Sequence, residues 1–277
     1  MDRNAESSRH TPKSPSVYTF FGHRTPEPYA ILGAWRTDWR GLAGTSFEQM
    51  GFAAMDHPKI YVGGGCREDR ALDVCLYAIQ RRASDLVEIS PLKRPALAPL
   101  GRLDIADDDL AGRMRFLIPA LNGFKGWAAF VTRDTLFQAD IYELWQLRDE
   151  RRAVMGVWHD DKTTDPASAC DRLPSLLLWN CGHPANRALT LDYALRSDRT
   201  GLCRFDWLHD GLRGQLPEEW NWRDGQSNPA LPPKAIEFAQ SRPWQGDANP
   251  CRYADLWRRE AQRIFGEAIP AGGLSTV

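Results

Sequence analysis

The 277-residue sequence has no C-x-x-C pair, no zinc-type spacing of Cys and His, almost no net charge and no long apolar run. Each absence excludes something. Its 35 basic residues face 36 acidic ones, which removes the broad cationic surface of a nucleic-acid binder but allows a local basic pocket for one phosphate group. The six cysteines, at 66, 75, 170, 181, 203 and 251, are scattered. They read as those of a reduced, cytoplasmic protein, with Cys75 and Cys181 filling core space. The longest near-candidate for a membrane span, residues 173–179, falls far short of the ~20 residues a bilayer requires, and it contains Pro174. No integral membrane segment is expected. The N-terminus lacks an apolar signal core, so export is not expected either.

What the chain does have is tryptophan, 11 in all, several beside polar residues: Trp35, Trp39, Trp220, Trp222 and Trp244. Such rings line a sugar or base pocket or anchor loops to a core. Residues 1–16 are polar and contain Pro and Ser, a composition that predicts disorder. Regular structure is expected from Lys59–Val62, broken by Gly63, Gly64 and Gly65. The predicted organisation is an N-terminal extension over 1–54, one domain over 55–270 and a flexible tail over 271–277.

Apolar periodicity then alternates. Helices are predicted over 67–82, 107–121 (bent or ended by Pro119), 138–148, from Thr190, and over 253–264. Strands are predicted over 86–89, 126–131, 153–158 and 175–179. This alternation predicts an α/β single domain with a mixed, mainly parallel sheet flanked by helices. Ligands in such folds bind beyond the carboxyl ends of the strands. Four such ends carry Gly or polar residues: Gly63–Gly65, Thr132-Arg133-Asp134, His159-Asp160-Asp161 and Asn180. Together they outline one expected cleft, although Thr-Arg-Asp taken alone is more often a plain turn than a ligand. The glycines do not complete G-x-G-x-x-G, because Glu68 stands at the third position, and they lack the G-x-x-x-x-G-K-[ST] form.

The stretches GWAAFVTRDTLF, LLLWNCGHPANRALT, LPEEWNW, KAIEFAQSRPW and YADLWRRE, in that order, resemble bacterial glycosyltransferases of the GT-A fold related to glycosyltransferase family 8. The resemblance covers about residues 59–260. It implies a nucleotide-diphospho-sugar donor, a divalent metal (Mg or Mn) and a glycan or small-molecule acceptor. In that family an Asp-x-Asp strand tip and a later His hold the metal, which stabilises the charge on the leaving nucleoside diphosphate.

At these positions the sequence departs from the family. Thr132 replaces the first Asp, Asp134 keeps the second, Glu237 replaces the His, and Ser241-Arg242 replace two glycines before Pro243-Trp244. The resemblance therefore implies an all-oxygen metal site of Thr132, Asp134 and Glu237, suited to magnesium. Gly63, Gly64, Gly65, Arg115, Arg242 and Trp244 are the implied donor-binding residues. Arg242 either forks onto phosphate oxygens or blocks the donor. Asp160, Asn180 and Asp210 are the implied catalytic side, facing sugar or acceptor. The function expected is transfer of a sugar, of hexosyltransferase type, from a UDP-sugar. The alternative is an inactive relative that serves as a binding or scaffold module.

Overall fold

Along Lys59–Gly63 and Trp127–Thr132 nearly every residue is buried on both faces, as in strands sandwiched between two layers. A computed structural model describes residues 18–20, 57–64, 69–97, 105–158, 169–238, 242–244 and 252–266. The strands are β1 (Tyr18–Phe20), β2 (Lys59–Gly63), β3 (Val87–Leu92), β4 (Trp127–Thr132), β5 (Thr135–Phe137), β6 (Val154–Gly156), β7 (Leu176–Asn180), β8 (Arg213–Gln215), β9 (Trp222–Arg223) and β10 (Ala235–Glu237). The helices are α1 (Arg70–Arg82), α2 (Arg94–Leu97), α3 (Asp107–Arg113), α4 (Ile118–Leu121), α5 (Ile141–Trp145), α6 (Leu191–Arg196), α7 (Arg199–Arg204) and α8 (Ala254–Phe265).

The main sheet has the order β1-β3-β2-β4-β7-β6-β8. Only β1 and β7 run against the other five strands. A small second sheet, β5-β10-β9, joins β10 antiparallel to β5 and parallel to β9. The side-chain period of two sorts the main sheet between two apolar layers. Ile60, Val62, Ala129, Val131 and Leu178 face a layer that contains Cys75 and Ile79 of α1 and Trp257 and Ile264 of α8. Tyr61, Ala128, Phe130, Leu177 and Trp179 face the other, with Phe116, Ile118, Leu202 and Phe205.

Two helices are shorter than their periodicity predicts. Instead of 138–148, α5 covers Ile141–Trp145, because the Asp140 carboxylate caps it by accepting from Tyr142 N at 3.0 Å. The residues before it, Thr135–Phe137, extend as a strand against β10. The 107–121 stretch divides into α3, a 3-10 turn at Met114–Phe116, and α4. Pro119 sits in the first turn of α4, where a missing N–H costs nothing, so the break falls before it.

Within the stretch read as an N-terminal extension, β1 pairs antiparallel with β3. Residues 1–17, 21–56 and 267–277, on which the expected disorder and tail fall, lie outside the described residues. Cys75 and Cys181 are buried free thiols, as expected. Burial pushes the Cys75 thiol up strongly, with Asp134 and Asp69 adding to the effect, and pushes Cys181 up to about 12. The fully reduced reading is corrected: Cys170 and Cys203 form a disulfide across a separation of 33 residues. Scattered spacing concealed the pair, whose partners meet only when α7 returns to the turn before β7. No described helix is long and apolar enough to cross a membrane.

Candidate functional site

Parallel pairing brings β2 and β4 to a common end, with Gly63 opposite Thr132. A Cβ on Gly63 would come within 2.8 Å of the Phe130 ring, so glycine lets the two strand ends close up. Beyond them opens a cavity of about 560 Å³ whose lining includes Gly63, Gly64, Arg115, Thr132, Arg133 and Asp134.

At the tip, the Thr132 hydroxyl donates to Asp134 Oδ1 and lies 3.4 Å from the Thr135 hydroxyl. Burial raises the Asp134 carboxyl above the usual range and the Glu237 charge raises it further, while the Thr132 hydrogen bond acts the other way. Arg133 pairs with Asp69 Oδ2. The other Asp69 oxygen caps α1, accepting from Ala71 N at 3.1 Å and Leu72 N at 3.4 Å. Arg115, on the turn between α3 and α4, donates through Nη1 to Pro174 O at 3.1 Å, and its guanidinium lies 5.5 Å from the centre of the Phe130 ring. Its Nε is buried without a hydrogen-bond partner. Burial lowers the Arg115 pKa to about 10, against the opposing charges of Glu237 and Asp134, so the group stays cationic at neutral pH.

Glu237 reaches the same region from β10, through its pairing opposite Thr135. It accepts from Arg223 Nε at 2.5 Å and Nη2 at 3.1 Å, and from Asn221 Nδ2 at 2.7 Å. Asn221 in turn accepts from Ser175 Oγ at 2.8 Å and Leu176 N at 3.2 Å, and Arg223 Nη2 also donates to Leu173 O at 2.8 Å. Ser175, Asn221 and Arg223 were not among the sequence candidates. The one available signal was Asn221 between Trp220 and Trp222, both now buried core residues.

These residues do not fit a divalent ion in the way the resemblance implied. A carboxylate ligand must turn a free lone pair to the metal. Both Glu237 oxygens instead face the Arg223 guanidinium, and the Thr132 hydroxyl is a donor to Asp134. Among the described residues, no group of three His, Cys, Asp or Glu could hold an ion.

The remaining candidates divide. Gly65 and Asp160 lie outside the described residues. Trp244 packs against Trp257, ring centres 5.5 Å apart, and its neighbour Arg242 is described only within the short segment 242–244. Asn180 and Asp210 need correction. Because β7 is antiparallel to β4, Asn180 pairs with Trp127 at the opposite end of the sheet from Thr132, where its amide donates to Glu150 Oε2 at 3.2 Å. Asp210 precedes β8 at that same far end, 88% exposed and paired with Arg213 at 2.6 Å. The residue that β7 contributes at the cavity end is Ser175, just before its first residue. Of the four strand ends expected to converge, β2 and β4 do, β6 points the same way into the undescribed 159–168, and β7 does not.

No protein-family model matches the sequence. Protein CDI of Arabidopsis thaliana is 35% identical to it over 230 residues, which cover 76% of this chain and 88% of the plant protein. The chain belongs to the Protein CDI family. Solved structures similar to this CDI-family chain include glycosyltransferases. WbbM, a bifunctional one, superposes with TM-score 0.56 at 14% identity, over 76% of this chain and 50% of its own. GlyE of Streptococcus pneumoniae gives 0.55 at 12%, over 75% and 60%. The galactosyltransferase LgtC, solved with donor and acceptor sugar analogues, gives 0.53 at 11%, over 75% and 96%. The chain thus spans half of WbbM and 60% of GlyE. At such identities the likeness is one of fold, and the fold is GT-A-type α/β. The sequence relative is a plant protein, whereas the motifs had suggested a bacterial group.

Proposed function

We propose that this protein transfers a sugar from a nucleotide-diphospho-sugar, a UDP-sugar, to a glycan or small-molecule acceptor. The observation that supports this reading is the cavity at the shared end of β2 and β4, which has a buried guanidinium, Arg115, in its wall. Ligands of open α/β sheets occupy this end of the strands, and LgtC, with a similar fold, was solved with sugar donor and acceptor analogues. The donor diphosphate lies against Gly63, Gly64 and Arg115, with Arg242 as a further phosphate contact and Asp160 on the sugar side. The catalytic unit is residues 55–270.

The test is release of nucleoside diphosphate from a panel of UDP-, GDP- and ADP-sugars, with water in place of the acceptor. Hydrolysis of a UDP-sugar is the expected result. A second reading, a non-catalytic binding module, is favoured by one observation: Thr132 and Glu237, at two metal positions, are engaged by protein groups. The absence of both turnover and nucleotide binding across the panel would establish that reading instead.

A further inference from the structure

Two guanidinium groups occupy the region where the family resemblance implies a metal. Arg223 lies against Glu237 with two N–H groups, one to each carboxylate oxygen, and is itself anchored to Leu173 O. Asn221, fixed by Ser175 and Leu176 N, holds the same carboxylate from a second side. Glu237 is therefore committed to the protein interior. Arg115 is different: it lines the cavity, holds its position through Pro174 O and the Phe130 face, and keeps a buried Nε–H with no partner. A buried cationic group whose donors are incompletely paired is costly, and because the Arg115 side chain lines the cavity its charge is available to an anion that enters there. The neighbouring cations are already engaged, Arg133 with Asp69 and Arg94 with Asp107.

We propose that the donor's diphosphate is bound here without a divalent ion, Arg115 meeting its charge while Arg223 keeps Glu237 out of coordination. This rests on the nucleotide-sugar reading above. A guanidinium suits the task because its planar fork matches two phosphate oxygens and it does not deprotonate near neutral pH. It also explains why Thr132 is tolerated at the tip: with no ion to hold, the tip needs one carboxylate, and the threonine hydroxyl orients it.

The experiment is calorimetric titration of UDP into the full chain, once in EDTA and once with Mg²⁺ or Mn²⁺, together with the electron paramagnetic resonance signal of Mn²⁺ alone. The expected results are UDP affinities within about twofold of each other in the two buffers, a Mn²⁺ signal unchanged by the protein, and binding in EDTA weakened at least about tenfold, about 1.4 kcal/mol, in Arg115→Ala. Arg115→Lys keeps the charge but loses the fork and should fall between, with circular dichroism checking the fold of both variants. Binding that appears only with metal would overturn the inference and leave the nucleotide reading standing. Binding in EDTA that Arg115→Ala leaves unchanged would overturn the role of Arg115. If UDP, GDP and ADP all fail to bind in both buffers, the inference and the nucleotide reading fall together.

Discussion

Glu237 and Arg223 have side chains only 7% and 12% exposed, and they are joined by two N–H···O contacts. Taking two charges out of water is costly, and their attraction offsets the cost only while both are present. Glu237→Ala should therefore destabilise the fold by roughly 3–5 kcal/mol, because Arg223 would be left buried and uncompensated. The double variant Glu237→Leu/Arg223→Met should recover most of that loss. Urea unfolding of parent, single and double variants measures the coupling, and strictly additive losses would mean that the pair is not coupled.

This pair also marks where the sequence stops being readable at residue scale. Asp134, Arg115, Gly63 and Gly64 were legible because they sit at strand or turn positions that a motif names. Arg223 was not, because its relation to Glu237 is made by the register of two very short strands, β9 and β10, which place the two residues directly opposite each other. Two- and three-residue strands carry no usable period. Asn180 was misplaced for a related reason: the apolar run of β7 records that a strand exists and leaves its direction open.

Among the elements, α1 and α8 were the most legible, since each has a long amphipathic stripe with buried residues at helical spacing. Less visible is the polar clamp between them. Glu260 of α8, its side chain 3% exposed, takes Arg81 and Arg82 of α1 at 2.9 and 2.7 Å and its own neighbour Arg263 at 3.0 Å. Burial alone would raise this carboxyl, but the hydrogen bonds and charges of Arg82, Arg81 and Arg263 outweigh it and hold its pKa below the usual value. A carboxylate depressed on folding stabilises the native state above its unfolded pKa, about 4.3. That contribution is lost as pH falls through the lower folded value. Glu260→Gln should therefore be less stable than the parent at pH 7, by about 1–3 kcal/mol given three charge-assisted bonds lost, and the difference should shrink below about pH 4. Denaturant midpoints of both proteins from pH 7 to pH 3 measure it; a pH-independent gap would assign the loss to packing alone.

Over the whole molecule, the two faces of the main sheet are secured by different means. The α1/α8 face has the Glu260 clamp, whereas the opposite face, carrying Phe116, Trp179, Leu202 and Phe205, has the Cys170–Cys203 bridge at its edge. The bridge ties the turn that leads into β7, and so Leu173, Pro174 and Ser175 on the cavity side, to the C-terminal end of α7. Leu173 O and Pro174 O accept from Arg223 and Arg115, and Ser175 Oγ donates to Asn221, so a loosened turn would disturb the site as well as the fold. A cross-link over 33 residues restricts the unfolded chain by about 3–4 kcal/mol on the chain-entropy view. Cys170→Ser/Cys203→Ser, or the parent under dithiothreitol, should accordingly have a lower Tm and weaker UDP binding than the oxidised parent. Peptide mapping without reductant must first recover the linked Cys170 and Cys203 peptides. An unlinked Cys170 peptide from the native protein, or a Tm indifferent to reductant, would remove the bridge from this account and leave the Arg223–Asn221–Ser175 network to hold the turn by itself.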